Sequence, residues 1–282
     1  MVKRLGVYSL ARLRELMCTD TLRIGLFVCL PLLVVFPILS IAAEETKAPA
    51  KEAQPLAESL KSPDQLVVTK AVEEIKKKGI TDESLVPALA HAIKNPDEMV
   101  RVAVIDALAQ MGPAAAKAVP ALTESLKDQD PMVREAATMA LFHLSDHAKP
   151  AIAMVVERLG DNNPRVRDVA VLTLSKIGTP AVPNLVGALA SANEAQRDAA
   201  ARALARLGAP VVPDLVAALE KGDARAAEGA SKALALVGGP AVPALLEKLL
   251  RGDQKTSALA EQTLIAIGAP AVPDLVKALK KK

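Results

Sequence analysis

Residues Gly178–Leu189 read GTPAVPNLVGAL, Gly208–Leu219 read GAPVVPDLVAAL, Gly238–Leu249 read GGPAVPALLEKL and Gly268–Leu279 read GAPAVPDLVKAL. The phrase returns every 30 residues, a period too long for a coiled-coil heptad and suited to one pair of helices. Working backward from these copies recovers weaker ones. Glycine closes a first helix at Gly79, Gly112, Gly178, Gly208, Gly238 and Gly268, with Ser145 in the one missing place. Proline opens a second helix at Pro87, Pro120, Pro183, Pro213, Pro243 and Pro273, with Ala153 standing in the third copy. The proline marker is spaced by 33, 33 and then 30 residues, so the early copies carry a turn three residues longer. The reading is an all-α protein, an α–α superhelix of about seven helix pairs filling residues 62–282.

Local rules build each unit. Asp64, Asp97, Asp130, Asn163, Asn193, Asp223 and Asp253 recur at the start of the first helix, where a short side-chain oxygen accepts orphan backbone N–H groups. Pro131 and Pro164 follow two of them at the first helical position, where the missing N–H costs nothing. In the first two units, Ser62-Pro63-Asp64-Gln65 and Asn95-Pro96-Asp97-Glu98 also fit a capping box that starts earlier. The glycine predicts a left-handed C-cap. Asp214 and Asp274, just inside the second helix, favour its positive end.

The same register predicts the core. Ala71, Val104, Ala137, Ala170, Ala200, Ala230 and Ala260 form one column of the first helices, with Ile75, Leu108, Leu141, Leu174, Leu204, Leu234 and Leu264 four residues on. Leu89, Leu122, Leu185, Leu215, Leu245 and Leu275 come from the second helices. One pair cannot bury such a face alone, whereas stacked pairs make a continuous elongated core. The small first column implies close helix contacts.

Composition agrees. The chain is 51% hydrophobic, yet it holds three Phe, one Tyr and no Trp, which suits packed Ala- and Leu-rich helices and not an aromatic-lined pocket. The net charge of +3 arises in residues 1–42, where Lys3, Arg4, Arg12, Arg14 and Arg23 face only Glu15 and Asp20. The remainder carries 30 basic and 30 acidic side chains. A neutral body without stacking aromatics lacks the signature of a nucleic-acid binder. Lys280–Lys282 read as a solvated tail.

Residues 24–43, IGLFVCLPLLVVFPILSIAA, are uncharged and follow basic residues. Twenty apolar residues match the length of a membrane anchor. Pro37, followed by Ser40 and Ala42 in small-x-small spacing, matches a secretory signal peptide cleaved near Ala42. Residues 1–43 are therefore read as signal peptide or membrane anchor, with Met1 or Met17 as the start. Either reading places the body outside the cytoplasmic membrane: periplasmic or extracellular if released, or anchored by residues 24–43. The membrane is then touched only through this segment. Cys18 and Cys29 both lie within residues 1–43, so the rest of the chain has no disulfide and no cysteine nucleophile. Residues 44–61, charged and rich in Ala and Pro, read as a flexible linker.

Three marks in these units carry a resemblance: Val-Arg near the first-helix start (Val100-Arg101, Val133-Arg134, Val166-Arg167), the Ala-Leu ending before glycine (Ala107-Leu108 to Gly112, Ala203-Leu204 to Gly208), and the following Pro-x-Leu. On these residues the chain resembles HEAT repeats, specifically the HEAT-like repeats of phycobilisome bilin lyases. Ala226-Ala227 and Thr256-Ser257 depart from the Val-Arg mark. The resemblance implies a lyase subunit, adaptor or assembly scaffold alike.

Chemistry-bearing residues are few. Arg101, Arg134, Arg167 and Arg197 recur in register as a ladder, with Glu135, Asp168 and Asp198 beside the last three. The ladder reads as structural, tying repeats together, with an anion-binding ridge as the alternative. His143 and His147 have the spacing for two ligands of one metal, but His143 shares its register with Lys77, Gln110, Lys176 and Arg206, an outward position. The iron site of hydroxylases on similar repeats uses His-Glu pairs. Here His91, His143 and His147 precede Ala92, Leu144 and Ala148. No metal, cofactor or catalytic set is assigned. The expected function is a non-enzymatic protein-binding scaffold using Asn184, Asp214, Ala217, Glu247, Asp274 and Lys277 on the second helices. The alternative is a subunit of a lyase-type or metal-dependent enzyme.

Overall fold

The computed structural model describes residues 50–280, and among them every regular element is helical. The expectations for the leader, residues 1–43, lie outside the described residues. Seven helix pairs follow one another. First helices span Gln65–Lys78, Glu98–Met111, Pro131–His143, Pro164–Ile177, Glu194–Leu207, Ala224–Val237 and Gln254–Ile267. Second helices span Val86–Ala92, Val119–Ser125, Ile152–Arg158, Val182–Ala188, Val212–Lys221, Val242–Arg251 and Val272–Leu279. We number the units one to seven. Each first helix packs against the next, and helices of this length gain most of their stability from that packing.

The predicted caps are all in place. Asp64, Asp97, Asp130, Asn163, Asn193, Asp223 and Asp253 each accept a backbone N–H of the first turn through the side chain. The earlier capping boxes do not form. Ser62 and Asn95 instead accept the backbone N–H of the cap residues Asp64 and Asp97, at 3.1 and 2.9 Å. The glycines differ from expectation too. Only Gly79 is left-handed in the ordinary sense, with φ 61° and ψ 39°. At Gly178 φ is 84° and ψ −147°, and its counterparts after units two, five, six and seven share that shape. This region is open to glycine almost alone. It turns the chain sharply into the short 3₁₀ segment, such as Thr179–Ala181, that leads to the second helix.

The two predicted columns form the core. Ala137, Ala170, Ala200, Ala230 and Ala260 are fully buried, as are Leu108, Leu141, Leu174, Leu204 and Leu234. Between units three and four Lys176 Nζ also sits 4.2 Å from the centre of the Phe142 ring. Glu98–Ser125 is long and apolar enough to cross a membrane by length and composition. Here it comprises both helices of unit two, with Val104, Leu108 and Leu122 in the core.

The ends differ. Within the expected linker, Ala50–Ser59 is a helix, which corrects the reading of 44–61 as flexible throughout. Ala53, Leu56 and Leu60 recur at helical spacing and are buried against both helices of unit one, covering a face that would otherwise meet water. At the other end Ile265, Val272 and Val276 are exposed, Ile265 by 72%.

Candidate functional site

The arginine ladder is the most developed polar structure in the array. In unit two, Arg101 Nη1 donates to the carbonyls of Asn95 and Pro96 in the loop leading into its helix, both at 2.9 Å. Its Nε and Nη2 donate in parallel to Asp128 in the loop leaving the unit, each at 2.9 Å. Arg134 repeats the pattern in unit three. Nη1 holds the carbonyls of Asp128 and Gln129, while Nε and Nη2 grip Asp161 at 2.7 and 2.8 Å. The planar guanidinium is the side chain that can make this fork while binding a third group.

Asp128 and Asp161 each accept a further hydrogen bond through the side chain. Asp128 Oδ1 accepts the backbone N–H of Asp130, and Asp161 Oδ1 that of Asn163, both at 2.9 Å. The chain of contacts thus runs from loop to loop through side chain and backbone. Burial pushes the Asp161 carboxyl up, but the Arg134 hydrogen bond, the Asn163 N–H and the charges of Arg134 and Arg158 outweigh it and hold it below the usual carboxylate range. The Arg134 guanidinium is in turn raised, chiefly by its hydrogen bond to Asp161 against the opposing effect of burial.

The ladder then changes character. Arg167 Nη1 still holds the carbonyls of Asp161 and Asn162, at 2.7 and 3.1 Å. Arg197 Nη1 holds those of Ser191 and Ala192, at 2.8 and 3.1 Å. Where Asp128 and Asp161 stand, unit four is followed by Ser191 and unit five by Lys221. Ser191 Oγ keeps the local role, accepting the Asn193 N–H at 3.1 Å, and bonds Gln196 at 2.6 Å. It offers no carboxylate to Arg167. Among the described residues, the Nε and Nη2 groups of Arg167 and Arg197 bond no side chain.

Sequence reasoning found the four arginines and missed their partners. Glu135, Asp168 and Asp198 lie beside the ladder but do not join it. Asp168 pairs with Arg202 and Asp198 with Lys232, each between first helices of successive units. The signal for the true partners was a register column two residues before each cap: Ser62, Asn95, Asp128, Asp161, Ser191, Lys221 and Arg251.

The other predicted residues occupy exposed ground. Asn184, Asp214, Ala217, Glu247 and Lys277 are exposed on the second helices, Asp274 is half-buried, and Lys277 bonds Asp274 at 3.0 Å. Register places Asn184, Asp214 and Asp274 in one row and Ala217, Glu247 and Lys277 in the next. A cleft of about 430 Å³ between the second helices of units one and two is lined by Ile93, Asn95, Arg101, Ser125 and Asp128. His143 and His147 are exposed, and His143 meets only the neighbouring Phe142 ring edge-on, at 5.5 Å. Among the described residues no group of three or more His, Cys, Asp or Glu side chains is arranged to hold a metal ion.

The family model for HEAT repeats matches residues 53–142 and 182–265, together more than half of the chain. The chain belongs to the HEAT-repeat family. Such arrays are helical-repeat modules for protein–protein interaction. The match begins inside the Ala50–Ser59 helix. Residues 111–186 also match a model described as non-SMC mitotic condensation complex subunit 1. No curated protein matches. Similar solved structures include an engineered protein at 20% identity and TM-score 0.42, covering 78% of this chain and 97% of that one. The complex of CpcE and CpcF of phycocyanin lyase from Nostoc sp. PCC7120 is similar at 24% identity and TM-score 0.41, covering 86% and 97%. Importin beta is similar at 13% identity and TM-score 0.49, covering 76% of this chain and 35% of its own.

Proposed function

We propose that this HEAT-repeat chain is a non-enzymatic protein-binding or assembly scaffold outside the cytoplasmic membrane. One observation carries the binding role: seven units in unbroken succession hold Asn184, Asp214, Ala217, Glu247 and Lys277 exposed at repeating positions on the second helices. An array so built presents an extended surface to another chain. The compartment rests on the apolar, uncharged residues 24–43 with their small-x-small ending. Co-purification from envelope extracts tests the binding role. A partner retained by the native chain and lost from Asp214→Lys/Glu247→Lys supports it, and no such partner sinks it. N-terminal sequencing of the native protein tests the compartment. A start near Ala43 or Glu44 means export and release, a Met1 or Met17 start in the membrane fraction means an uncleaved anchor, and a Met1 or Met17 start in the soluble cytoplasmic fraction refutes both.

A second reading, a subunit of a lyase-type enzyme, is favoured by the bilin-lyase-like marks of the repeats, Val100-Arg101 and Val133-Arg134 among them. It predicts a shifted visible absorption band when the protein is mixed with an open-chain tetrapyrrole. An unchanged spectrum, with and without a co-purified partner, removes it.

A further inference from the structure

We propose that the open guanidinium forks of Arg167 and Arg197 form a docking site for an acidic, extended peptide segment of a partner protein. The template is internal. Arg101 and Arg134 show what the fork takes when complete: one carboxylate accepting from Nε and Nη2 in parallel. In units four and five the same arginines are held in the same pose, since Nη1 still grips the two preceding loop carbonyls. Their orientation is therefore fixed before any ligand arrives, which lowers the entropic cost of binding.

Charge supports the assignment. The register column that supplies acids at Asp128 and Asp161 supplies Ser191, Lys221 and Arg251 further along. Lys221 is the last residue of its second helix and is exposed, so after unit five the column supplies a helical cation in place of a loop carboxylate. Asp168 and Asp198, beside Arg167 and Arg197, are already paired with Arg202 and Lys232, so they do not fill the forks, whereas the forks of Arg101 and Arg134 are neutralised by Asp128 and Asp161. A side-chain carboxylate is the group the fork demonstrably fits in this protein.

Spacing narrows the partner. Neighbouring packed helices lie about 8–10 Å apart, and the two forks are one repeat apart. A polyproline-type segment advances about 3.1 Å per residue with three residues per turn, so every third side chain shares one face at about 9 Å. The segment that fits carries Asp or Glu at every third position.

This deepens the protein-binding reading and fails separately from it, because it concerns the loop edge and not the second-helix residues Asp214 and Glu247. The probe is a fluorescent peptide of three Pro-Pro-Glu triplets, titrated with the full chain and followed by anisotropy. Binding to the native chain is expected. It should fall about ten-fold or more, or about 1.4 kcal/mol, in Ser191→Asp/Lys221→Asp, which restores an acid at both register positions. The same loss is expected when the peptide's Glu is replaced by Gln. Charge reversal at the distant Lys70→Asp should leave binding unchanged. Arg167→Lys/Arg197→Lys keeps the charge without the fork and should also weaken binding, which covers misfolding of the first variant. No binding by the native chain, equal binding by both double variants, or binding of a ten-residue oligothymidylate in preference to the peptide would each overturn the proposal.

Discussion

Arg134 and Asp161 share two parallel hydrogen bonds, 2.7 and 2.8 Å long, across the whole of unit three, with only 3% of the Asp161 side chain exposed. The pair joins the loop leading into the unit to the loop leaving it. Removing one partner strands the other in a poorly hydrated place. Arg134→Ala is expected to cost about 3 kcal/mol in urea unfolding. Lys117→Ala, whose 3.5 Å contact with Glu83 is exposed, should cost under about 0.5 kcal/mol. Equal losses from both would show that Arg134–Asp161 does not clamp the unit.

The same pair sets an acid limit. Its folded carboxyl titrates below its unfolded value of about 3.9. The associated stability is fully present above that value and is lost as pH falls through the lower folded pKa. Stability measured from pH 6 to 2 should therefore drop below about pH 4, and Asp161→Asn should flatten that part of the drop. An identical acid profile in the variant would refute the assignment.

Two glycines of unit four separate backbone from space. A methyl group on Gly178 or on Gly187 would meet no atom within 4 Å, yet Gly178 has φ of +84°. Gly178→Ala should destabilise by about 1–3 kcal/mol. Gly187→Ala, inside Val182–Ala188, should stabilise by about 0.5–1 kcal/mol. Thermal unfolding of both variants checks the opposite signs.

Ala200 is fully buried in the column where first helices approach one another. Ala200→Leu inserts volume into a filled seam and is expected to cost about 1–3 kcal/mol. A neutral result in chemical denaturation would mean that the seam is slack.

Most of the fold was legible because it is local. A cap such as Asp97 acts on Met99 and Val100, two and three residues away, and the Ala200 and Leu204 columns follow from one helix's own period. The Ala50–Ser59 helix was not legible. Its sequence is polar and carries Pro55, and it is placed by Ala53 and Leu56 packing on a neighbour. The glycine positions were readable, but the ψ at Gly178 depends on how the turn enters its 3₁₀ segment. The arginines of the candidate site were visible by register. Their carboxylates were not, because Arg134 and Asp161 lie 27 residues apart and meet only once the loops are stacked. The change at Ser191 and Lys221 gains meaning only against that stacked geometry.

The unequal ends of the array have a consequence for construction. Before unit one, the helix carrying Leu56 already occupies the stacking surface, so a further unit there must first evict it. Beyond unit seven, Ile265 and Val272 lie open. An additional copy of the 30-residue phrase, grafted after Leu279, would find an apolar seat of the kind its own first helix is made to cover. Extension after unit seven needs no such displacement.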